Sequence, residues 1–242
     1  MALILSLETG TDVCSAGLAR DGRLISLRES SEGRNHARNL AVYIEEMLDE
    51  VEIRPDELDA VAVGRGPGSY TGLRVGVSLA KGLCYGLNVP LIAINSLQSL
   101  AQVALEDFEA GILDVDDLTG FALAPMIDAR RMEVYTQLYD TELNPLSEVE
   151  ALILDENSFS EQLNQGQLLV FGDGAAKAKE IISSKNLHLV SILPSARGMA
   201  SLAERAYQQG DFADTAYFEP FYLKDFVVIP SKKKFFDGPK NL

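Results

Sequence analysis

A glycine-rich string between a predicted strand and a predicted helix constrains this fold more than any other feature. Alternating apolar residues predict a strand over 58–63, and a helix is predicted over 73–87. Glycine permits a positive φ and close backbone approach, while proline fixes the direction of the chain. The join can therefore be a tight turn, or a cradle of free N–H groups that holds an anion at the helix start. This motif loop consists of Gly66, Pro67, Gly68, Ser69, Tyr70, Thr71, Gly72 and Arg74.

The predicted elements follow one order twice along the chain. In the first half, strands are predicted at 2–7, 13–19, 24–28, 58–63 and 90–94, and helices at 37–51, at 73–87 and from about 95. In the second half, strands are predicted at 121–127, 133–139, 168–171 and 187–193, with a helix at 199–208 and an acidic linker at 106–117 before them. This repetition indicates an internal duplication in which Glu8 and Asp128 occupy matching turns.

The duplicated βββαβαβα order is found in the actin-like superfamily of ATPases, sugar kinases and Hsp70-like proteins (ASKHA), whose nucleotide lies between two domains. We therefore predict an α/β protein with two actin-like domains at 1–105 and 118–230, followed by a basic flexible tail at 231–242. Packing of the last helix and strand back on the first domain is left open. A likeness of fold carries no function by itself.

Charge disfavours strong, direct binding of nucleic acid by this chain. The formal net charge is −15, and such a protein repels phosphate backbones. Lysines crowd the tail, which either is solvated or contacts RNA or a partner. Cys14 and Cys84 lie in apolar patterns typical of core residues, and no apolar stretch is long enough to span a membrane, so a cytoplasmic location is expected.

The glycine string and the segment 78–83 after it resemble the TsaB (YeaZ) family. The resemblance extends from 6–9 to 219–224, nearly the whole chain. It implies a partner of the catalytic subunit TsaD in the bacterial synthesis of the threonylcarbamoyl group on adenosine 37 of tRNA. TsaB forms a heterodimer with TsaD, and the ATPase TsaE docks on the pair. The resemblance therefore implies indirect contact with tRNA, no required cofactor and, for the isolated chain, a homodimer.

The chain lacks the histidine pair that TsaD carries. TsaD has an Asn-His-x-Glu-Gly-His signature, in which histidines four residues apart share one helix face and can hold a metal together. The matching string here is 95–100, with Ser96 and Leu100 at the histidine positions. The whole sequence has two histidines, His36 and His188. The resemblance thus implies no catalytic and no metal-binding residue, and His36 is expected at a helix start.

Nucleotide binding is left open by the sequence. Actin-like kinases hold phosphate and magnesium with acidic, glycine and hydroxyl groups in the first hairpin, and a glycine loop holds adenosine. The corresponding candidates are Glu8, Thr9, Gly10, Thr11, Gly172 and Gly174. Both loops also make ordinary turns, and Asp173 between the two glycines would repel phosphate unless magnesium intervened. The rival function from the enzyme class is an ATP-dependent small-molecule kinase.

The helix predicted at 73–87 is apolar around more than half of its circumference. One sector suffices to pack on the sheet, whereas Val75, Leu79, Gly82 and Gly86 form a second sector that must also be covered. The cover is either the preceding helix of the same chain or another molecule. The family resemblance favours a partner interface formed by Val75, Leu79, Gly82, Gly86, Tyr43 and Met47.

Overall fold

The computed structural model describes residues 2–31 and 35–224, and its first half is a five-stranded mixed sheet. The strands, in the spatial order β3-β2-β1-β4-β5, are β1 (Leu3–Glu8), β2 (Cys14–Arg20), β3 (Arg23–Ser30), β4 (Ala60–Gly66) and β5 (Leu91–Asn95). β1 pairs antiparallel with β2 and parallel with β4, and β5 continues the parallel side. The helices of this half are α1 (His36–Glu50), α2 (Tyr70–Leu87) and α3 (Ser96–Glu109), with a 3₁₀ turn at Pro55–Glu57.

The second half repeats this sheet. The strands are β6 (Phe121–Asp128), β7 (Glu133–Thr136), β8 (Glu150–Ile153), β9 (Gln167–Phe171) and β10 (Leu187–Leu189), in the order β8-β7-β6-β9-β10. The helices are α4 (Ser160–Gln165), α5 (Ala175–Ile181) and α6 (Ala200–Gln209), with a 3₁₀ turn at Ala196–Met199 before α6. The predicted α/β duplication is confirmed, because both halves begin with an antiparallel meander whose first strand pairs in parallel with a later one. Glu8 and Asp128 each end the first strand of their half.

Several predicted boundaries were wrong in the second half. The predicted strands at 133–139 and 187–193 end early, at Thr136 and Leu189, and the acidic linker begins inside α3. Tyr139 makes an isolated bridge to Leu123 instead of extending the ladder. β8 and α4 were not predicted, since four to six residues are too few to carry a clear period.

The two halves share one hydrophobic core. Ile4 and Ile92 of the first sheet, Leu123 and Phe171 of the second sheet, and Leu202 of α6 belong to a single buried cluster. α6 therefore packs back on the first half, which was one of the two alternatives. Among residues 2–31 and 35–224, no helix combines the length and apolar character needed to cross a membrane.

The segment 211–224, here called the C-terminal strap, also returns to the first half. The Ala213 N–H donates to the Leu91 carbonyl at 2.8 Å, and the Phe221 N–H donates to the Arg65 carbonyl at 2.8 Å. The Lys81 ammonium of α2 donates to the carbonyls of Ala216 and Phe218, both at 3.0 Å. The strap therefore lies along α2 and the motif loop. The basic tail predicted at 231–242 lies outside the described residues.

Candidate interaction surface and motif loop

The motif loop is packed directly against the turn between β1 and β2. A Cβ atom on Gly72 would lie 2.0 Å from the Thr9 carbonyl oxygen, and one on Gly64 would lie 2.3 Å from a Glu8 carboxyl oxygen. The Ser69 hydroxyl caps α2 by accepting from the Gly72 N–H at 3.3 Å, and the Ser69 N–H donates to a backbone oxygen of the turn. Glycine is required at these contacts because any side chain would separate the loop from the turn.

The side chains of Glu8 and Thr9, at the start of the first hairpin turn, are hydrogen-bonded inside the chain. One Glu8 oxygen accepts the N–H groups of Thr9 and Gly10, at 2.9 and 2.8 Å, and the other accepts the Ser96 hydroxyl at 2.9 Å. The Thr9 hydroxyl donates to the Gly72 carbonyl at 2.8 Å. Burial raises the pKa of the Glu8 carboxyl, with these hydrogen bonds opposing the rise. The contacts give each group a structural role, and nucleotide binding by this turn stays a prediction.

His36 ties α1 to the same turn. It is the first residue of α1, as expected, and its Nε2 lies 2.8 Å from the Thr11 carbonyl; a carbonyl oxygen can only accept, so Nε2 is the donor. At the two positions that the sequence analysis matched to the TsaD histidines, Ser96 donates to Glu8 and Leu100 is fully buried in the core. In the described part of the chain, no three His, Cys, Asp or Glu side chains are grouped so as to hold a metal.

The second candidate nucleotide loop, Gly172–Gly174, closes on the end of β6. The Gly174 N–H donates to the Met126 carbonyl at 3.0 Å, and an Asp173 oxygen accepts the Asp128 N–H at 3.1 Å. Desolvation raises the pKa of the Asp173 carboxyl to about 6, and the charges of Asp128 and Asp12 add to the rise. Asp12 belongs to the turn after β1, so the charge of the first candidate loop contributes to the pKa of the second.

An aromatic cluster joins the motif loop to the C-terminal strap. The rings of Tyr70 and Tyr222 are 4.8 Å apart, and the Arg74 guanidinium lies 4.3 Å from the Tyr70 ring centre. Arg74 Nε also donates to the Tyr222 hydroxyl at 3.3 Å. Sequence reasoning left the role of Tyr70 open and did not find Tyr222 as its partner. A possible signal was the aromatic content of 217–222, although such a segment has no periodicity that predicts its contact.

A groove of ≈ 510 Å³ lies beside α2, at the start of α1. It is lined by Ala37, Tyr70, Thr71, Arg74, Val75, Ser78 and Leu79. Val75 and Leu79 are half-buried, because they also pack at the margin of the first-half core. The groove therefore brings together residues of the motif loop and of the second sector of α2.

The predicted interface is partly covered within the chain and partly open. Tyr43 is half-buried, whereas Met47 is 0% exposed inside the core. Including Met47 in the surface was wrong, because it points into the packing between α1 and the first sheet. Gly82 and Gly86 are exposed, and a Cβ atom on either would meet nothing within 4 Å. Val75 and Leu79 of the second sector are therefore partly covered within the chain, whereas Gly82 and Gly86 are open.

Comparisons with known proteins agree over most of the chain. The family model described as "TsaD: tRNA N6-adenosine threonylcarbamoyltransferase" matches residues 29–228. The "tRNA threonylcarbamoyladenosine biosynthesis protein TsaB" of Haemophilus influenzae is 32% identical over 235 residues, which cover 93% of this chain and 94% of that protein. The protein of the same name from Escherichia coli is 29% identical, with 95% and 99% covered.

Solved structures give the same relationship. The structure described as "YeaZ from Pseudomonas aeruginosa" is 27% identical, has a TM-score of 0.77, and covers 92% of this chain and 100% of its own. A second Pseudomonas aeruginosa structure, of an uncharacterized protein with similarity to peptidase YEAZ, has a TM-score of 0.78 at 28% identity, with 93% and 100% covered. The chain therefore belongs to the TsaB (YeaZ) family.

Proposed function

We propose that this chain is a non-catalytic subunit of bacterial tRNA threonylcarbamoyladenosine synthesis that binds and activates TsaD. Two relatives that are named for this pathway align with the chain over more than nine-tenths of their own length. In the proposed complex, TsaD performs the transfer, TsaE docks on the pair, and tRNA is contacted through the complex. The net charge of −15 supports an indirect role in RNA binding.

The pair of open glycines on α2 carries the proposal. Each glycine costs a helix roughly 1 kcal/mol relative to alanine. Gly64 and Gly72 are explained by contacts under 2.5 Å that a Cβ would make, but Gly82 and Gly86 have no such neighbour within the described residues. Small residues let a second helix approach closely, since the distance between helix axes depends on the side chains at the contact. A partner helix on this face therefore accounts for a cost that the isolated fold does not explain.

The groove beside the glycines supports the same surface. Val75 and Leu79 line it with apolar side chains, and outside it the exposed Tyr85 precedes Gly86 on α2. Exposed aromatic and aliphatic groups around a groove are typical of protein interfaces. Without TsaD, two copies of this face can pair with each other, so we propose a homodimer for the isolated chain.

A non-catalytic role is supported by the start of α3. Ser96 is engaged with the buried Glu8, and Leu100 cannot coordinate a metal. The reacting groups of the transfer are therefore assigned to TsaD. We propose that the chain needs no cofactor of its own, and binding of ATP or ADP is left to measurement.

The test is to mix the chain with its cognate TsaD and to measure mass by light scattering and modified adenosine in a tRNA digest. We expect a 1:1 heterodimer, and threonylcarbamoyl transfer from threonylcarbamoyl-adenylate only when TsaD is present. Transfer by the isolated chain would contradict the non-catalytic role. Phosphotransfer from Mg-ATP by the isolated chain would instead support the rival small-molecule kinase.

A further inference from the structure

The C-terminal strap makes a turn over residues 214–218, where it passes α2. The Asp214 carboxylate accepts the N–H groups of Ala216 and Tyr217, at 2.8 and 3.1 Å. The Phe218 N–H donates to the Asp214 carbonyl at 2.8 Å, and the Phe218 side chain packs against the core of the first half. An aspartate that bonds to the backbone after it stabilises a turn, so this part of the strap has a defined conformation.

Lys81 of α2 holds the same turn from outside the strap. Its ammonium donates to the carbonyls of Ala216 and Phe218, both at 3.0 Å, and these two residues flank Tyr217. A lysine side chain loses much of its rotamer freedom when it is fixed in this way. The two hydrogen bonds therefore set the position of the turn relative to α2.

Two tyrosine side chains beside this lysine face solvent. Tyr217 is 85% exposed, although the backbone around it is fixed by Asp214 and Lys81. Tyr85 lies one helical turn after Lys81 on the same face of α2 and is 89% exposed. Among the residues that the structure describes, these are the two most exposed large hydrophobic side chains. Single exposed apolar groups are ordinary on a protein surface, but these two come from distant parts of the sequence to one lysine.

The two tyrosines continue the surface that contains the open glycines. Gly82 directly follows Lys81, and Gly86 directly follows Tyr85. A Cβ atom on either glycine would meet nothing within 4 Å, so the backbone of a second helix can approach α2 here. Tyrosine rings beside such a floor can cover the apolar side chains of that helix while their hydroxyls stay in water, which is why tyrosine is common among interface anchors. The surface therefore fits a helix with an apolar face.

We propose that Lys81 is a positioning residue for a two-tyrosine anchor, Tyr85 and Tyr217, that packs against an apolar helix of TsaD. The inference rests on the proposed function and adds the C-terminal strap to a surface assigned so far to α1 and α2. Because the turn of the strap is fixed before the partner arrives, Tyr217 needs little ordering when it binds. Lys81 acts through the strap, since its ammonium is bonded to the carbonyls on both sides of Tyr217.

Calorimetric titration of the full-length chain with TsaD tests the anchor. Tyr85→Ala and Tyr217→Ala should each weaken binding by about tenfold or more. Neither change should lower the midpoint of thermal unfolding, because both side chains are exposed. Ile153→Ala is the matched control, since Ile153 is 69% exposed on β8 of the second sheet and its removal should leave the affinity for TsaD unchanged.

Lys81→Met tests the positioning role. The variant loses both hydrogen bonds to the strap but keeps a long side chain, so binding of TsaD should weaken by about tenfold. In the Tyr217→Ala background the same change should have little further effect, because residues that act through one contact are not additive. Lys81→Arg should restore part of the affinity, since a guanidinium also donates to carbonyl oxygens.

The outcomes separate this inference from the proposed function. If the native chain binds TsaD and the two tyrosine variants bind it equally well, the anchor is refuted and the proposed function stands. If the effects of Lys81→Met and Tyr217→Ala add in full, Lys81 does not position Tyr217, and that role is refuted. A native chain that does not bind TsaD contradicts the proposed function and, with it, the anchor.

Discussion

Replacing Gly82 by alanine is expected to stabilise the isolated chain, although it adds a side chain to a proposed interface. The new Cβ would have no atom within 4 Å, so no contact must shift. The remaining effect is helix propensity, which favours alanine by about 0.8–1.0 kcal/mol inside a helix. For a chain of this size, that gain should raise the midpoint of thermal unfolding by roughly 2–4 °C.

Gly72→Ala is the matched control on the same helix. Its Cβ would lie 2.0 Å from the Thr9 carbonyl oxygen, so the first turn of α2 or the β1–β2 turn must move. Overpacking of this kind usually costs about 1–3 kcal/mol. The two alanine variants should therefore move the unfolding midpoint in opposite directions, as measured by calorimetry at one pH and protein concentration.

Gly82→Leu separates stability from association. In the isolated chain, the leucine side chain extends into open space and should leave the fold intact. On a helix packed closely against a partner, it should weaken TsaD binding by tenfold or more, about 1.4 kcal/mol. The measurement is titration calorimetry with TsaD. A native-like affinity for a folded Gly82→Leu variant would refute the proposed interface, and a loss of stability in Gly82→Ala would refute the reasoning that this glycine is open.

Three further predictions address the same surface and the interior. Leu79→Arg should stay folded but weaken TsaD association by 100-fold or more, whereas Val77→Arg, at a site only 4% exposed, should unfold the first half. Association is measured by size-exclusion mass and folding by thermal melting. If both variants melt at the same temperature, Leu79 is covered within the chain. Glu8→Gln should gain stability relative to the native chain as pH rises above about 4.5. Burial raises the pKa of Glu8 in the folded state, so the native protein loses stability when this carboxyl ionises, and the glutamine variant does not. A difference between the urea midpoints of the two proteins that is independent of pH would contradict this. Tyr222→Ala should lower the unfolding free energy by about 1 kcal/mol through loss of the Tyr70 stack, and an unchanged urea midpoint would show that the strap contributes no stability.

The sequence predicted the order of the elements well where periodicity was long. The strand before the motif loop and the helix after it are both present, although α2 begins at Tyr70 instead of Leu73 because Ser69 caps it. The duplicated sheet also followed from the order of strands and turns. The shared core between the halves did not, because it gathers residues as far apart in sequence as Ile4 and Phe171 into one buried cluster.

The candidate surface was predicted in part, for a physical reason. A helical wheel finds which residues share a face but does not identify what covers that face. Met47 was therefore placed beside Tyr43 on the interface although it packs into the core. The Ser96–Glu8 hydrogen bond joins residues 88 positions apart, and the Tyr70–Tyr222 stack involves a segment without periodicity, so neither contact was accessible to local patterns.

The glycines between the end of β4 and the end of α2 belong to two classes that one sequence pattern cannot separate. Gly64 and Gly72 are required by the fold, because backbone or carboxyl atoms occupy the space of their Cβ atoms. Gly82 and Gly86 lie at ordinary helical positions where the fold would be more stable with alanine. A residue that lowers the stability of the isolated chain without any local contact to explain it is best accounted for by an interaction outside the chain. The surface that matters for function is therefore sought where the isolated structure leaves such a cost in stability uncompensated, as it does at these two glycines.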